Sequence, residues 1–108
     1  TVAENAGYDL YCSLGKQISL HLGCYKDTTE RDLPHFAGSI STLTPQICIE
    51  TCRDLNEGYR YAGVQNGGQC FCGTSYGKNG SSSGCNSQCQ GDSTQICGGV
   101  WANDIYVI

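Results

Sequence analysis

The distribution of apolar and polar positions divides the chain unevenly. Residues 1–20 show no apolar period, are punctuated by Gly7 and Gly15, and read as an extension packed on a domain of 21–108. Residues 22–26 (Leu-Gly-Cys-Tyr-Lys) read as a short strand. Residues 27–43 read mostly as loop: Asp27, Glu30, Arg31 and Asp32 are followed by the breakers Pro34 and Gly38. A helix is predicted over 45–57. Thr44 offers a capping hydroxyl, Pro45 fits the first helical position, and Cys48, Cys52 and Leu55 fall at i, i+4 and i+7 on one face. Gly58 can close the helix in the left-handed conformation without a Cβ clash.

Residues 59–65 mix aromatic, small and β-branched residues in a strand-like pattern, Asn66-Gly67-Gly68 is a hairpin signal, and residues 69–73 return as a second strand. Cys70 and Cys72 then share one face by the two-residue strand period. Residues 73–95 read as a long Gly/Ser-rich and polar loop, and residues 105–108 as a closing strand. Two thiols one helical turn apart, facing two thiols one strand repeat apart, predict at least one disulfide between the helix pair and the strand pair.

Composition places the chain in a class. It has 108 residues and 9 cysteines, enough for one small domain and close to the cysteine level of a disulfide scaffold. A Cys₄ zinc site competes with disulfides on spacing alone, but there is no repeated C-x₂-C pair, and His21 and His35 are remote. Disulfides are the expected state, and they imply an oxidising, extracellular compartment. The chain starts at Thr1 without an initiator Met, which fits a mature secreted chain. Asn79-Gly80-Ser81 is an N-glycosylation sequon, so a glycoprotein is expected. The net charge of -4 and the lack of a basic stretch argue against nucleic acid, and no apolar run approaches the roughly 18 residues of a membrane span.

Several runs together resemble a WSC domain: Leu22-Gly23-Cys24-Tyr25, Asp27, Arg31-Asp32-Leu33, Thr44-Pro45 with Cys48 and Cys52, and the stretch from Gly58 to Gln65. The likeness continues through Gln69-Cys70-Phe71-Cys72-Gly73, Cys85, Cys89-Gln90-Gly91, Gln95-Ile96-Cys97-Gly98-Gly99 and Ile105-Tyr106. The resemblance implies a small disulfide-rich α+β domain of the PAN/apple type, with one helix packed on an antiparallel sheet. It also implies four disulfides among Cys24, Cys48, Cys52, Cys70, Cys72, Cys85, Cys89 and Cys97, and a carbohydrate-binding role. About a hundred pairings of eight cysteines are possible, and the sequence does not choose among them. WSC domains occur in fungal cell-wall sensors, in Kremen-type receptors and beside carbohydrate-active enzymes, so the family fixes fold better than ligand.

No catalytic constellation emerges: there is no nucleophile elbow, no phosphate cradle, and no cofactor or metal motif, so a non-enzymatic chain without cofactor is expected. Sugar sites need aromatic faces for the C–H side of a pyranose and amide, carboxylate or guanidinium groups for its hydroxyls. The candidates are Tyr59, Arg60, Tyr61 and Asn66 around the hairpin, Tyr76 and Asn79 on the long loop, and Trp101, Asn103 and Asp104 before the last strand. Tyr59 and Tyr61 sit on a strand and compete with core roles; Tyr76 and Trp101 sit in loops beside glycines and are the better exposed candidates. Two functions follow: a secreted lectin-like binder of glycan or polysaccharide, and an extracellular protein-interaction module of a receptor. Cys12 is the odd ninth cysteine. A Cys12–Cys12 disulfide and a homodimer able to cross-link glycans are expected; burial as a small hydrophobe, or a bond to a different chain, are the alternatives.

Overall fold

The computed structural model describes residues 20–108; Cys12, and all but the last residue of the expected extension 1–20, lie outside the described residues. In chain order the described elements are β1 (His21–Lys26), β2 (His35–Ser39), α1 (Pro45–Asp54), β3 (Tyr61–Gln65), β4 (Gln69–Gly73), β5 (Gln88–Cys89), β6 (Asp92–Ile96) and β7 (Ala102–Val107). Five strands form an antiparallel sheet in the order β1-β7-β3-β4-β2, and β5 and β6 pair as a separate ribbon. The fold is the expected α+β arrangement, with one helix on a sheet.

The start of α1 follows the sequence signal. Thr44 is extended at φ -135°, its Oγ1 accepts a hydrogen bond from the Ile47 N–H at 3.2 Å, and Pro45 opens the helix. The end differs from the expected 57. The helix closes at Asp54 with Leu55 as its cap, because Asn56 already takes the left-handed conformation at φ 55°. Asn shares that tolerance with glycine, so Asn56 stops the helix before Gly58 is reached, and Leu55 is turned outward.

Cys48 bonds to Cys70 and Cys52 to Cys72, so both helix thiols are joined to both strand thiols. Cys24–Cys85 ties the long loop to β1, and Cys89–Cys97 closes the β5–β6 ribbon. On the helix side of the sheet the core is Leu43, Ile49, Ala62, Val64 and the buried cysteines. On the other side Leu33, from segment 27–34, is buried against Phe71 and Ile105, with Tyr25, Tyr61 and, from segment 74–80, Tyr76 packed around them. Asp32 joins those two segments by accepting the N–H groups of Gly77 and Lys78 at 2.8 and 3.1 Å.

Two expected loops contain strands. β2 lies within 27–43, immediately after Pro34 and around Gly38; as a short edge strand with a bulge between Phe36 and Gly38, it tolerates both breakers. The β5–β6 ribbon falls in 73–95, where strand-like residues are few, and runs one residue past it, to Ile96; Cys89–Cys97 supplies the closure that side-chain packing does not. β3 starts at Tyr61 rather than at 59, and β7 runs from Ala102, three residues earlier than expected. At the far end of the sheet the Val107 N–H donates to the Leu20 carbonyl at 3.0 Å.

Asn66 and Gly67 both have positive φ, 54° and 78°, in the turn between β3 and β4. A Cβ on Gly67 would also lie 2.7 Å from the Gln88 carbonyl oxygen. Gly67→Val is therefore expected to lose at least about 2 kcal/mol, from backbone strain together with the clash; an unchanged urea midpoint would contradict this. Replacing Cys52 and Cys72 together by alanine is expected to cost about 3 kcal/mol by urea unfolding, for a loop of this length.

Candidate functional site

Residues directly opposite each other in an antiparallel pair share a face. The registers Phe36–Phe71, Gly63–Phe71, Gln65–Gln69 and Gln65–Asn103 therefore put Phe36, Phe71, Gln65, Gln69 and Asn103 on the sheet face away from α1. Segments 27–34 and 74–80 cover the β1 and β7 side of that face. The hairpin end stays open and forms a groove.

Arg31 is the centre of the groove. Its guanidinium carbon lies 4.6 Å from the centroid of the Trp101 ring and 5.2 Å from that of Phe71, so it is stacked against both. Its Nη1 donates to Asp27 Oδ2 at 2.7 Å. Asp27 is 2% exposed. Its carboxylate also accepts the N–H groups of Thr28 and Asp32 at 3.0 and 2.9 Å and the Gln65 Nε2 at 3.1 Å. Burial alone pushes the Asp27 carboxyl up. The hydrogen bonds from Asp32, Arg31, Gln65 and Thr28 outweigh it and hold the pKa below the ordinary carboxylate value. The Asp27 N–H in turn donates to the Trp101 carbonyl at 2.9 Å. One residue thus fixes the guanidinium, a wall amide and the backbone beneath the indole.

Trp101 is the unusual element. It occupies the second position of a two-residue turn closed by reciprocal hydrogen bonds between Gly99 and Ala102, and its φ is 54°. Glycine or asparagine is usual there, and a bulky side chain carries about 1–3 kcal/mol of backbone strain. The ring is nevertheless 46% exposed, as is Phe36 at 49%.

Of the residues singled out from sequence, Asn66 and Trp101 converge on this groove. The rest do not. Tyr59 packs against the helix-side core and stacks on His35 at 5.2 Å between centroids. Tyr61 and Tyr76 pack edge to face at 4.8 Å, and Tyr76 also meets Tyr25 at 5.2 Å, so the loop position of Tyr76 does not free its ring. Arg60 is exposed at the opposite end of the sheet, beside Gly73 and Ile108. Asn79 lies on the 74–80 segment, where its Nδ2 donates to the Glu30 carbonyl at 3.2 Å. Asn103 is 0% exposed and Asp104 4% exposed, each in the middle of the β1-β7-β3 sheet. Asp104 accepts the Gly98 N–H at 2.9 Å and lies 2.8 Å from the His21 Nε2, so it organises the chain before the Trp101 turn and does not face solvent. Arg31, Phe36 and Gln69 were missed as site residues. Arg31 lies within a family-like run, but nothing in the local sequence brings positions 31, 36, 69 and 101 together.

A model of the WSC domain matches residues 21–99. The chain belongs to the WSC-domain family. This WSC chain is 40% identical over 101 residues to xylosyltransferase oxt of Drosophila melanogaster, covering 88% of this chain and 11% of that protein. It is 41% identical over 104 residues to Kremen protein 1 of Mus musculus, covering 89% of this chain and 21% of that protein. Against human Kremen protein 2 it is 32% identical over 111 residues, with 97% and 24% covered. The WSC chain therefore spans between about a tenth and a quarter of the length of these relatives.

Two outcomes follow from the groove's construction. Trp101→Gly removes the strained backbone position, and the relief outweighs the stacking lost on Arg31, which at an exposed site is about 0.5–1 kcal/mol. Its melting temperature is expected to equal or exceed that of the parent. Because the folded Asp27 pKa is lowered, its stabilisation is complete above the ordinary value of about 3.9 and is lost as pH falls through the lowered one. Urea midpoints measured between pH 6 and pH 2 should fall most steeply at the acid end, and Asp27→Asn should flatten that fall.

Proposed function

We propose that this WSC chain is a secreted, non-catalytic, lectin-like carbohydrate-binding module of residues 21–108 behind an extension over 1–20, and that the Arg31–Trp101 groove is its glycan-binding face. The observation that carries the reading is Trp101. A half-exposed indole kept at a strained backbone position is a ring held for contact with something outside the fold. Asn66, Gln69 and the remaining Arg31 donors surround it with hydroxyl-binding groups. Four disulfides support an oxidising, extracellular setting. The share of the chain in a xylosyltransferase supports a module beside sugar chemistry rather than the catalyst, since it spans about a tenth of that protein.

A second reading, a protein-interaction module, has its own support. Val100, 72% exposed, adjoins Trp101 and enlarges the apolar patch. A glycan array paired with a pull-down from the same extract separates the two. The lectin reading expects array binding competed by free sugar, with Trp101→Ala weakening it by at least about 1 kcal/mol, or about fivefold, in a folded protein. Capture of a protein with an empty array favours the second reading.

The described cysteines pair with one another, which leaves Cys12 as the odd one in the sequence. A Cys12–Cys12 bond would place two grooves on one particle and raise avidity for a glycan surface. Non-reducing electrophoresis is expected to show a dimer that reductant splits; a monomer band under both conditions ends this part of the proposal.

A further inference from the structure

The groove consists of two depressions. One, of about 190 Å³, is walled by Trp101, Val100 and Asn66. The other, of about 340 Å³, is walled by Pro34, Phe36 and Phe71. Arg31 and Gln69 line both and form the divide between them. We infer that the groove holds two consecutive sugar units of a neutral oligosaccharide, one in each depression; the inference rests on the carbohydrate reading of this face.

The spacing of the rings carries the first half. Trp101, Arg31, Phe71 and Phe36 follow one another in a row, with successive separations of 4.6, 5.2 and 5.1 Å. Phe71 is buried, so the exposed rings are the two ends of that row. Trp101 lines the first depression and Phe36 the second, and a pyranose is about the size of one aromatic ring. Each end can take the C–H face of a separate unit. The donors at the divide, the Gln69 amide and the outer guanidinium N–H groups, then sit where the hydroxyls flanking a glycosidic bond would meet them.

Charge carries the second half. Arg31 is the charged residue in the lining of either depression among the described residues. Its charge is met by the buried Asp27 carboxylate at 2.7 Å, so the pair presents hydrogen-bond donors with no net charge. A uronate or sulfated chain would find no uncompensated cation there, and the formal net charge of -4 on the whole chain opposes its approach.

The test is calorimetric titration of the full chain with glucose, xylose and mannose, with their neutral disaccharides and tetrasaccharides, and with digalacturonate. In a series that binds, the disaccharide is expected to bind at least about tenfold tighter than its monosaccharide, with little further gain at the tetrasaccharide, and digalacturonate more weakly than the neutral disaccharides. Phe36→Ala, and Phe36→Leu as the milder variant, are expected to bring the disaccharide down to monosaccharide affinity while circular dichroism and melting temperature stay near those of the parent. Equal affinity for mono- and disaccharide, or unchanged disaccharide binding in both folded Phe36 variants, overturns the two-unit inference and leaves the carbohydrate reading standing. Tighter binding of digalacturonate overturns its neutral half. No binding by any sugar in the panel defeats the carbohydrate reading itself, and this inference with it.

Discussion

The match between a helical turn and a strand repeat governs this fold. Residues i and i+4 of a helix are about 6 Å apart along its axis, and residues i and i+2 of a strand about 6.8 Å. Cys48 and Cys52 can therefore meet Cys70 and Cys72 together, and the observed order, first to first and second to second, requires α1 to run parallel to β4. Two bonds thus fix direction as well as distance, which a single staple could not do. With α1 set, its apolar face closes over Ala62 and Val64, and the opposite sheet face is left to the segments 27–34 and 74–80.

That second face shows how a small domain organises a site with few residues. It lacks the volume for a deep pocket, so it relies on one buried carboxylate. Asp27 gathers two side-chain donors and two backbone donors on its oxygens and offers its own N–H to the Trp101 carbonyl. Its burial is tolerable because these lone pairs are occupied. The result is a guanidinium held between two rings, an arrangement that a free Arg side chain on a loop would lose to rotamer entropy.

Much of this was legible in the sequence, for local reasons. The Thr44-Pro45 start, the cysteine spacings, the 66–68 turn and the 69–73 strand are each written within a few residues. What was not legible depends on partners far along the chain. β2 is a strand because β4 lies beside it, in spite of Pro34 and Gly38; the β5–β6 ribbon exists because Cys89 meets Cys97. Asn103 and Asp104 looked like surface groups because they are polar, yet the sheet register buries both. Tyr76 looked free because glycines surround it, yet Tyr25 and Tyr61 enclose it. The groove is the extreme case: Arg31, Phe36, Gln69 and Trp101 meet only after the strand order is known.

The pairing of β1 with β7 brings Leu20 against Val107 at one end of the sheet. The groove's hairpin wall, at Gln65 and Asn66, lies at the other end of β3, about 13 Å away along a strand of that length. Leu20 and Ile108, the two ends of the described residues, therefore lie on the side remote from Trp101. The two ends of the described residues are thus separated from the groove by the length of β3, which leaves the hairpin end of the sheet clear of both.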